Sequence, residues 1–339
     1  MIRVKCSLIT VMATLLISVS VTQAITLQEV QRRGELLCGV STGIPGFSNP
    51  DENGTWAGFD VDLCRAVAAA TLGDASKIKV IPLAAKERLT AVQSGEVDLL
   101  SSNATWTLTR DTALGLHFAG INYYDGQGFM TLKNLGVKSA LDLNGLTICI
   151  QSGTTTALNL ADYFKENNME YRAITFDTSD QTVRAFKAGR CDVLTSDQSQ
   201  LYALRIKLEN PENAEVLPEV ISKEPLGPVV RQGDDAWFNI VRWTLFAMIN
   251  AEENGVATAN VDEMKKSTNP KVLRLLGIEG VKGKGLGLND DWAYQVIKQV
   301  GNYGEVFERN VGRESPLKID RGLNALWNKG GIIYAPPFR

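Results

Sequence analysis

Two stretches of this chain repeat one another. Gln93–Asn103 can be laid without a gap on Lys187–Asp197, so that Gly95 meets Gly189, Asp98 meets Asp192, Leu100 meets Leu194, Ser102 meets Ser196 and Asn103 meets Asp197. In the first copy, Leu89, Ala91 and Val92 give the preceding residues an apolar helical side. Gly95 then stands where a helix C-terminus calls for a left-handed residue. Val97, Leu99 and Leu100 form a short apolar run that reads as a buried strand. The loop Ser101–Thr109 carries hydroxyls and amides and ends on Arg110. In an open α/β sheet, the space beyond the carboxyl end of a strand is where ligands bind. The same grammar in two places predicts two α/β lobes of similar build, each offering a polar loop at the same position. A ligand between the lobes would meet Asn103 from one side and Asp197 from the other.

The chain has 339 residues, enough for two such lobes with real cores. Its first 24 residues read as a secretory leader: Arg3 and Lys5, an apolar stretch Leu8–Val21, then the small-residue site Thr22-Gln23-Ala24. Cys6 precedes the apolar stretch and is not read as a lipid-attachment site. No later run is apolar and long enough for a bilayer span. Without residues 1–24 the net charge moves from −3 to about −5, because only Arg3 and Lys5 leave with them. An acidic chain of this kind is a poor partner for nucleic acid. Four cysteines remain, Cys38, Cys64, Cys149 and Cys191. An even number in an oxidising compartment suggests two disulfides, for which three pairings exist. Two lobes favour Cys38–Cys64 and Cys149–Cys191, one staple in each; four free buried thiols are the alternative. With no C-x-x-C and a single histidine, His117, zinc is not expected.

Strand and helix patterns alternate along most of the chain. The first crossing between lobes is expected near Asn122, and Glu224–Arg231 should carry the chain back. That divides it into lobe 1 (25–122 and 232–339) and lobe 2 (123–231). Asp235–Glu253 has the spacing of a strong amphipathic helix, and further helices follow it.

Seven residues could carry chemistry. Arg110 offers a guanidinium fork suited to a carboxylate, although taken alone it would pair with Asp111. Ser152–Thr156 lies between a strand and a helix, where free N–H groups of Thr154 and Thr155 can hold an anion; taken alone, their hydroxyls would serve only the helix. Asp197 suits an ammonium group, with N-capping as its plain alternative. Asn103 and Thr105 add neutral donors and acceptors. Arg88 could read a distal group of the ligand or could be a solvated helix-face charge. A fork, a helix-terminus anion site and a lone carboxylate together fit a zwitterion such as an α-amino acid. Nothing points to an enzyme: no Ser or Cys has the setting of an activated nucleophile, and His117 sits in an apolar run.

The segments GFDVDLCRAVAAATLGD (58–74), SGEVDLLSSNATWTLTRD (94–111), NYYDGQGFM (122–130), CIQSGTTT (149–156), ISKEPLGP (221–228), NVDEMKKSTNP (260–270), NYGEVFERN (302–310) and RGLNALWNKGG (321–331) resemble a periplasmic amino-acid-binding protein of an ABC importer. The likeness is to the polar amino-acid family and, within it, to the general L-amino-acid-binding proteins of α-proteobacteria. It implies a two-lobed, type II periplasmic binding protein fold of the α/β class with two hinge crossings. The part beyond about Ala251 resembles the general subgroup alone and implies a C-terminal helical extension. It also implies that Arg110 clamps the α-carboxylate, with Asn103, Thr105, Thr154 and Thr155 completing that contact. Asp197 takes the α-ammonium, and Arg88 reads a distal carboxylate. The expected ligands are polar, acidic and amide L-amino acids such as Glu, Asp, Gln and Asn. The expected partner is a membrane permease with a separate ATPase, served by a monomer in the periplasm without a cofactor. Ser101-Ser102 departs from the subgroup, where a valine–arginine pair stands. A periplasmic dehydratase acting on prephenate or arogenate, and a detached receptor sensor domain, are the competing readings on the same fold.

Overall fold

The computed structural model describes residues 26–280 and 283–339; the leader expected over 1–24, with Cys6, lies outside them. The chain opens with α1 (Thr26–Arg33), β1 (Leu36–Ser41), the short pair β2 (Asn49–Pro50) and β3 (Trp56–Ala57), and α2 (Phe59–Leu72). It continues through β4 (Ile78–Leu83), α3 (Arg88–Ser94), β5 (Leu99–Leu100), α4 (Leu108–Thr112) and β6 (Leu116–Phe118). β7 (Tyr123–Asp125) then crosses to β8 (Gln127–Leu132), β9 (Thr147–Gln151), α5 (Thr156–Glu166), β10 (Arg172–Phe176), α6 (Ser179–Lys187), β11 (Val193–Asp197), α7 (Gln198–Arg205) and β12 (Ala214–Val216). β13 (Glu224–Leu226) brings it back to β14 (Val229–Arg231) and α8 (Asp235–Glu253). The C-terminal part adds α9 (Val261–Met264), α10 (Pro270–Leu275), α11 (Trp292–Gln299) and α12 (Tyr303–Asn310).

Two five-stranded sheets result, ordered β4-β1-β5-β14-β6 and β10-β9-β11-β8-β12. They have one topology: three parallel strands, then an antiparallel strand that comes straight from a crossing, then an edge strand. The repeat seen in the sequence is the centre of each. Gly95 and Gly189 both adopt positive φ, 77° and 67°, where a side chain would be strained. Asp98 Oδ2 accepts from the Leu37 N–H and Asp192 Oδ2 from the Thr147 N–H, each at 2.8 Å. The shared aspartate thus ties the start of β5 to β1 and the approach to β11 to β9. Each lobe also carries its own disulfide, Cys38–Cys64 joining β1 to α2 and Cys149–Cys191 joining β9 to the loop before β11.

The crossings are made by β7 and β13, which pair with each other as a separate antiparallel ribbon. β14 already belongs to the first sheet, so Val229–Arg231 fall in lobe 1 rather than in the stretch 123–231. The return is completed before 231 because the chain already bonds to the loop of lobe 1 as it leaves β13: the Pro225 carbonyl accepts from the Trp106 N–H at 2.8 Å and the Gly227 N–H donates to the Ala104 carbonyl at 3.1 Å.

Beyond residue 255 the chain folds back onto lobe 1, with α11 and α12 packed on α2 and α8 and sharing one hydrophobic core with them. Arg309 and Asn310 both reach the buried Asp62 of α2, at 2.7 and 2.6 Å. The extension also meets the crossing strand. Phe307 stacks on Tyr123, with ring centroids 6.0 Å apart, and the Tyr303 hydroxyl donates to the Asn122 carbonyl at 2.8 Å. The Asn324 side chain accepts from the Tyr124 N–H at 2.7 Å and donates to the Tyr124 carbonyl at 3.0 Å. Among the described residues, no helix is long and apolar enough to cross a membrane.

Candidate functional site

A polar cavity of about 30 Å³ lies where the two polar loops face one another. From lobe 1 it is bounded by Arg88, Asn103 and Thr105, and from lobe 2 by Thr154, Thr155 and Asp197. Six of the seven residues expected from sequence therefore share it. Arg110 does not line it. It is buried at the seam beside it, where Nη1 donates to the Thr105 carbonyl at 3.0 Å and Nη2 reaches across to the Gly153 carbonyl of lobe 2 at 3.5 Å. The lobes are closed on each other at this point: a Cβ on Gly153 would stand 2.6 Å from the Lys86 backbone. Lys86–Asp177 at 2.9 Å and Lys207 Nζ to the Gly43 carbonyl at 2.7 Å bridge the seam further out.

The plain alternatives for these side chains do not hold. Arg110 pairs with carbonyls, not with Asp111. Arg88 is buried; its Nη1 donates to the Ser102 carbonyl and, at 3.4 Å, to that of Asn103. Asp197 occupies the N-cap position of α7 but its side chain caps nothing. That duty falls to Asp125 on the crossing strand, which accepts from the Ser199 N–H at 3.3 Å. The Asp197 carboxylate is left to face the cavity. The subgroup departure at Ser101-Ser102 is also accounted for. The Ser101 hydroxyl donates to Asp60 at 2.9 Å, and the Ser102 and Ser41 hydroxyls pair at 2.9 Å.

Sequence reasoning missed Glu224. It is 1% exposed and accepts four hydrogen bonds: from Thr105 Oγ1 at 2.5 Å, Thr155 Oγ1 at 2.9 Å, Asn159 Nδ2 at 2.6 Å and Ser222 Oγ at 2.8 Å. The Thr154 hydroxyl likewise donates, to the Gln151 carbonyl at 2.8 Å. With these protons committed, the three threonine hydroxyls offer acceptor lone pairs to the cavity rather than donors. Donors for an anion come instead from Arg110 and from the backbone N–H groups of Thr154 and Thr155 at the N-terminal end of α5. The sequence around Glu224 does not mark it; its setting comes from the ribbon. It stands directly opposite Asp125 in the ribbon, and like charges there are unfavourable unless both turn to other work.

The charges around the cavity are strongly coupled. Burial, together with Asp125 and Glu224, holds the Asp197 carboxyl well above the usual carboxylate range, against the pull of Arg88 and Arg110. Burial pushes Asp60 up to about 7 and lifts Asp125 as well. It pushes Arg88 down to about 10, with help from the nearby Arg110. A group carrying a positive charge beside Asp197 would relieve the crowding of acids, and a carboxylate would relieve Arg110 of its burial.

The sequence profile of the bacterial extracellular solute-binding proteins, family 3, matches residues 36–255. This chain belongs to that family. It is a family of binding proteins, and the chain is not an enzyme. The solute-binding protein is 61% identical over 329 residues to the general L-amino acid-binding periplasmic protein of Rhizobium johnstonii, covering 96% of both chains. It is 53% identical over 317 residues to the glutamate/glutamine/aspartate/asparagine-binding protein of Rhodobacter capsulatus, covering 93% of this chain and 94% of the other. A solved ABC transporter periplasmic binding protein from Brucella ovis with glutathione bound superposes with a TM-score of 0.92 at 58% identity, over 93% of this chain and all of that one. The family profile ends at 255, so the extension lies beyond it.

Proposed function

We propose that this solute-binding protein captures an L-α-amino acid between its lobes in the periplasm and presents it, closed, to the permease of an ABC importer. The observation that carries this is the pairing of Asp197 and the α5 N-terminus around one buried cavity, with Arg110 at its seam. Asp197 takes the α-ammonium, helped by the lone pairs of the Thr105 and Thr155 hydroxyls. Arg110 and the N–H groups of Thr154 and Thr155 take the α-carboxylate, Arg110 exchanging its long bond to Gly153 for a shorter, charge-assisted one. Arg88 and Asn103 border the space left for the ligand's side chain. Ligand favours the closed form because only that form offers both half-sites. The names of the relatives support amino acids with acid or amide side chains, and the Brucella structure supports a γ-glutamyl compound.

Calorimetry on refolded protein across a panel of L-amino acids tests this. At least one should bind in the micromolar range, about −8 kcal/mol. Arg110→Ala should abolish binding of every one. Arg88→Ala should weaken chiefly the ligands with acid or amide side chains. Undiminished binding by Arg110→Ala would remove the proposed pose.

A further inference from the structure

Asn103 has an unusual position. It sits within the polar loop of lobe 1 in the left-handed conformation, φ 45°, and is 7% exposed. The residue borders the cavity, and neither of its buried side-chain atoms, Oδ1 and Nδ2, has a hydrogen-bond partner. Beside it Arg88, held by the carbonyls of Ser102 and Asn103, has a buried Nε that is also without a partner. Two donors and one acceptor on these two neighbouring residues are thus buried with nothing to bond. Buried polar groups in that state are costly, and the cost is removed by whatever supplies the missing partners.

We propose that this pair of residues reads an uncharged amide on the ligand, and that Asn103 is the residue that selects it. An amide carbonyl accepts from Nδ2 and from Arg88 Nε, and an amide N–H donates to Oδ1. A carboxylate cannot do this, because it brings acceptors only and would face Oδ1 with a like-charged oxygen. Turning the Asn103 amide over does not help, since one end is always an acceptor. An alkyl side chain leaves all three groups unpaired. The surroundings add to the bias. Asp60, Asp125, Asp197 and Glu224 stand against only Arg88 and Arg110, so a further carboxylate enters an acid-rich site. The amide can be the side chain of glutamine or asparagine, or the γ-peptide bond of a γ-glutamyl compound. The chemistry is shared, and the ligand set below separates the two.

The inference rests on the amino-acid reading given above, and the test keeps the two apart. Refolded full-length protein is titrated at pH 7.5 with L-glutamine, L-glutamate, L-norleucine and reduced glutathione. Glutamine should bind at least tenfold more tightly than glutamate and norleucine. Glutathione binding as well as glutamine would assign the γ-peptide bond, and glutathione failing to bind would assign the side-chain amide. Asn103→Gly tolerates the left-handed backbone and should compress the glutamine-to-glutamate ratio to within threefold. Asn103→Asp, of the same shape but without the donor, should lower glutamine affinity and lower glutamate affinity further. Glutamate binding as tightly as glutamine to the unaltered protein would overturn the amide inference alone, as would an unchanged ratio in Asn103→Gly. If no amino acid bound at all, the amino-acid reading would fall with it.

Discussion

Glu224→Gln isolates what the crossing strand contributes to ligand capture. The substitution keeps the shape of the side chain and removes its charge. Oε2 receives the hydroxyl protons of Thr105 and Thr155, one from each lobe's half of the cavity. Hydrogen bonds to a charged acceptor are worth about 1.5–3 kcal/mol, and neutral ones about 0.5–1.5. Losing about 1 kcal/mol at each threonine gives about 2 kcal/mol in the arrangement that meets the ligand, roughly a 30-fold rise in Kd. On the other oxygen, an amide NH₂ would face the Asn159 donor at 2.6 Å, which adds to the loss rather than offsetting it. Isothermal titration with the tightest ligand of the panel, beside urea melts to check the fold, measures the effect. A Kd within threefold of the unaltered protein, in a variant that melts normally, would show that the hydroxyls need no orienting acid.

Four further outcomes are expected. A carboxyl raised by burial gives stability that is full below its unfolded pKa and is lost as pH rises through the folded one. Asp60, raised to about 7, should therefore make the closed protein less resistant to urea from about pH 4 to 7, and Asp197, also held above its ordinary value by burial, should act in the same direction. An ammonium ligand favours ionised Asp197, so binding should release protons and tighten over the same rise; titrations in buffers of different ionisation enthalpy would read this, and a flat or falling affinity would contradict it. Cys149→Ala with Cys191→Ala opens a 42-residue loop and should cost about 4 kcal/mol in denaturant unfolding, whereas a loss under 1 would deny the staple its role. Asn324→Ala removes two bonds to the Tyr124 backbone, about 2 kcal/mol, and should lower hydrogen-exchange protection of the Tyr124 amide roughly 30-fold. Unchanged protection would mean that the strand does not depend on them.

The two-lobe architecture was legible because its signal is local and doubled. A glycine after a helix, an aspartate before a strand and a polar loop beyond it specify the same geometry at 95–103 and at 189–197. The cysteine pairs followed from the lobes. Asp197, Asn103, Thr105, Thr154 and Thr155 could be expected at the cavity because each lies near the end of a strand or the start of a helix. Glu224 and Asp125 were missed because their roles come from the ribbon that sets two distant segments side by side, and neither segment announces it. Arg110 could be proposed by type, but its place at the seam behind Thr105 depends on lobe closure, which no local pattern encodes. The proton direction of the threonine hydroxyls was hidden for the same reason: an acid 119 residues away from Thr105 decides it.

The clasp of the extension on β7 has a mechanical consequence. One edge of that strand is bonded to β13 and the other to Asn324, while Tyr123 is wedged among Phe47, Phe59 and Phe307. Residues 123–124 are thus fixed to the larger body, and any swing of the smaller one must be taken up past Asp125 and in the segment leading into Glu224. The polypeptide after residue 255 works as a door jamb: none of its residues lines the cavity, yet it holds the strand on which the door hangs.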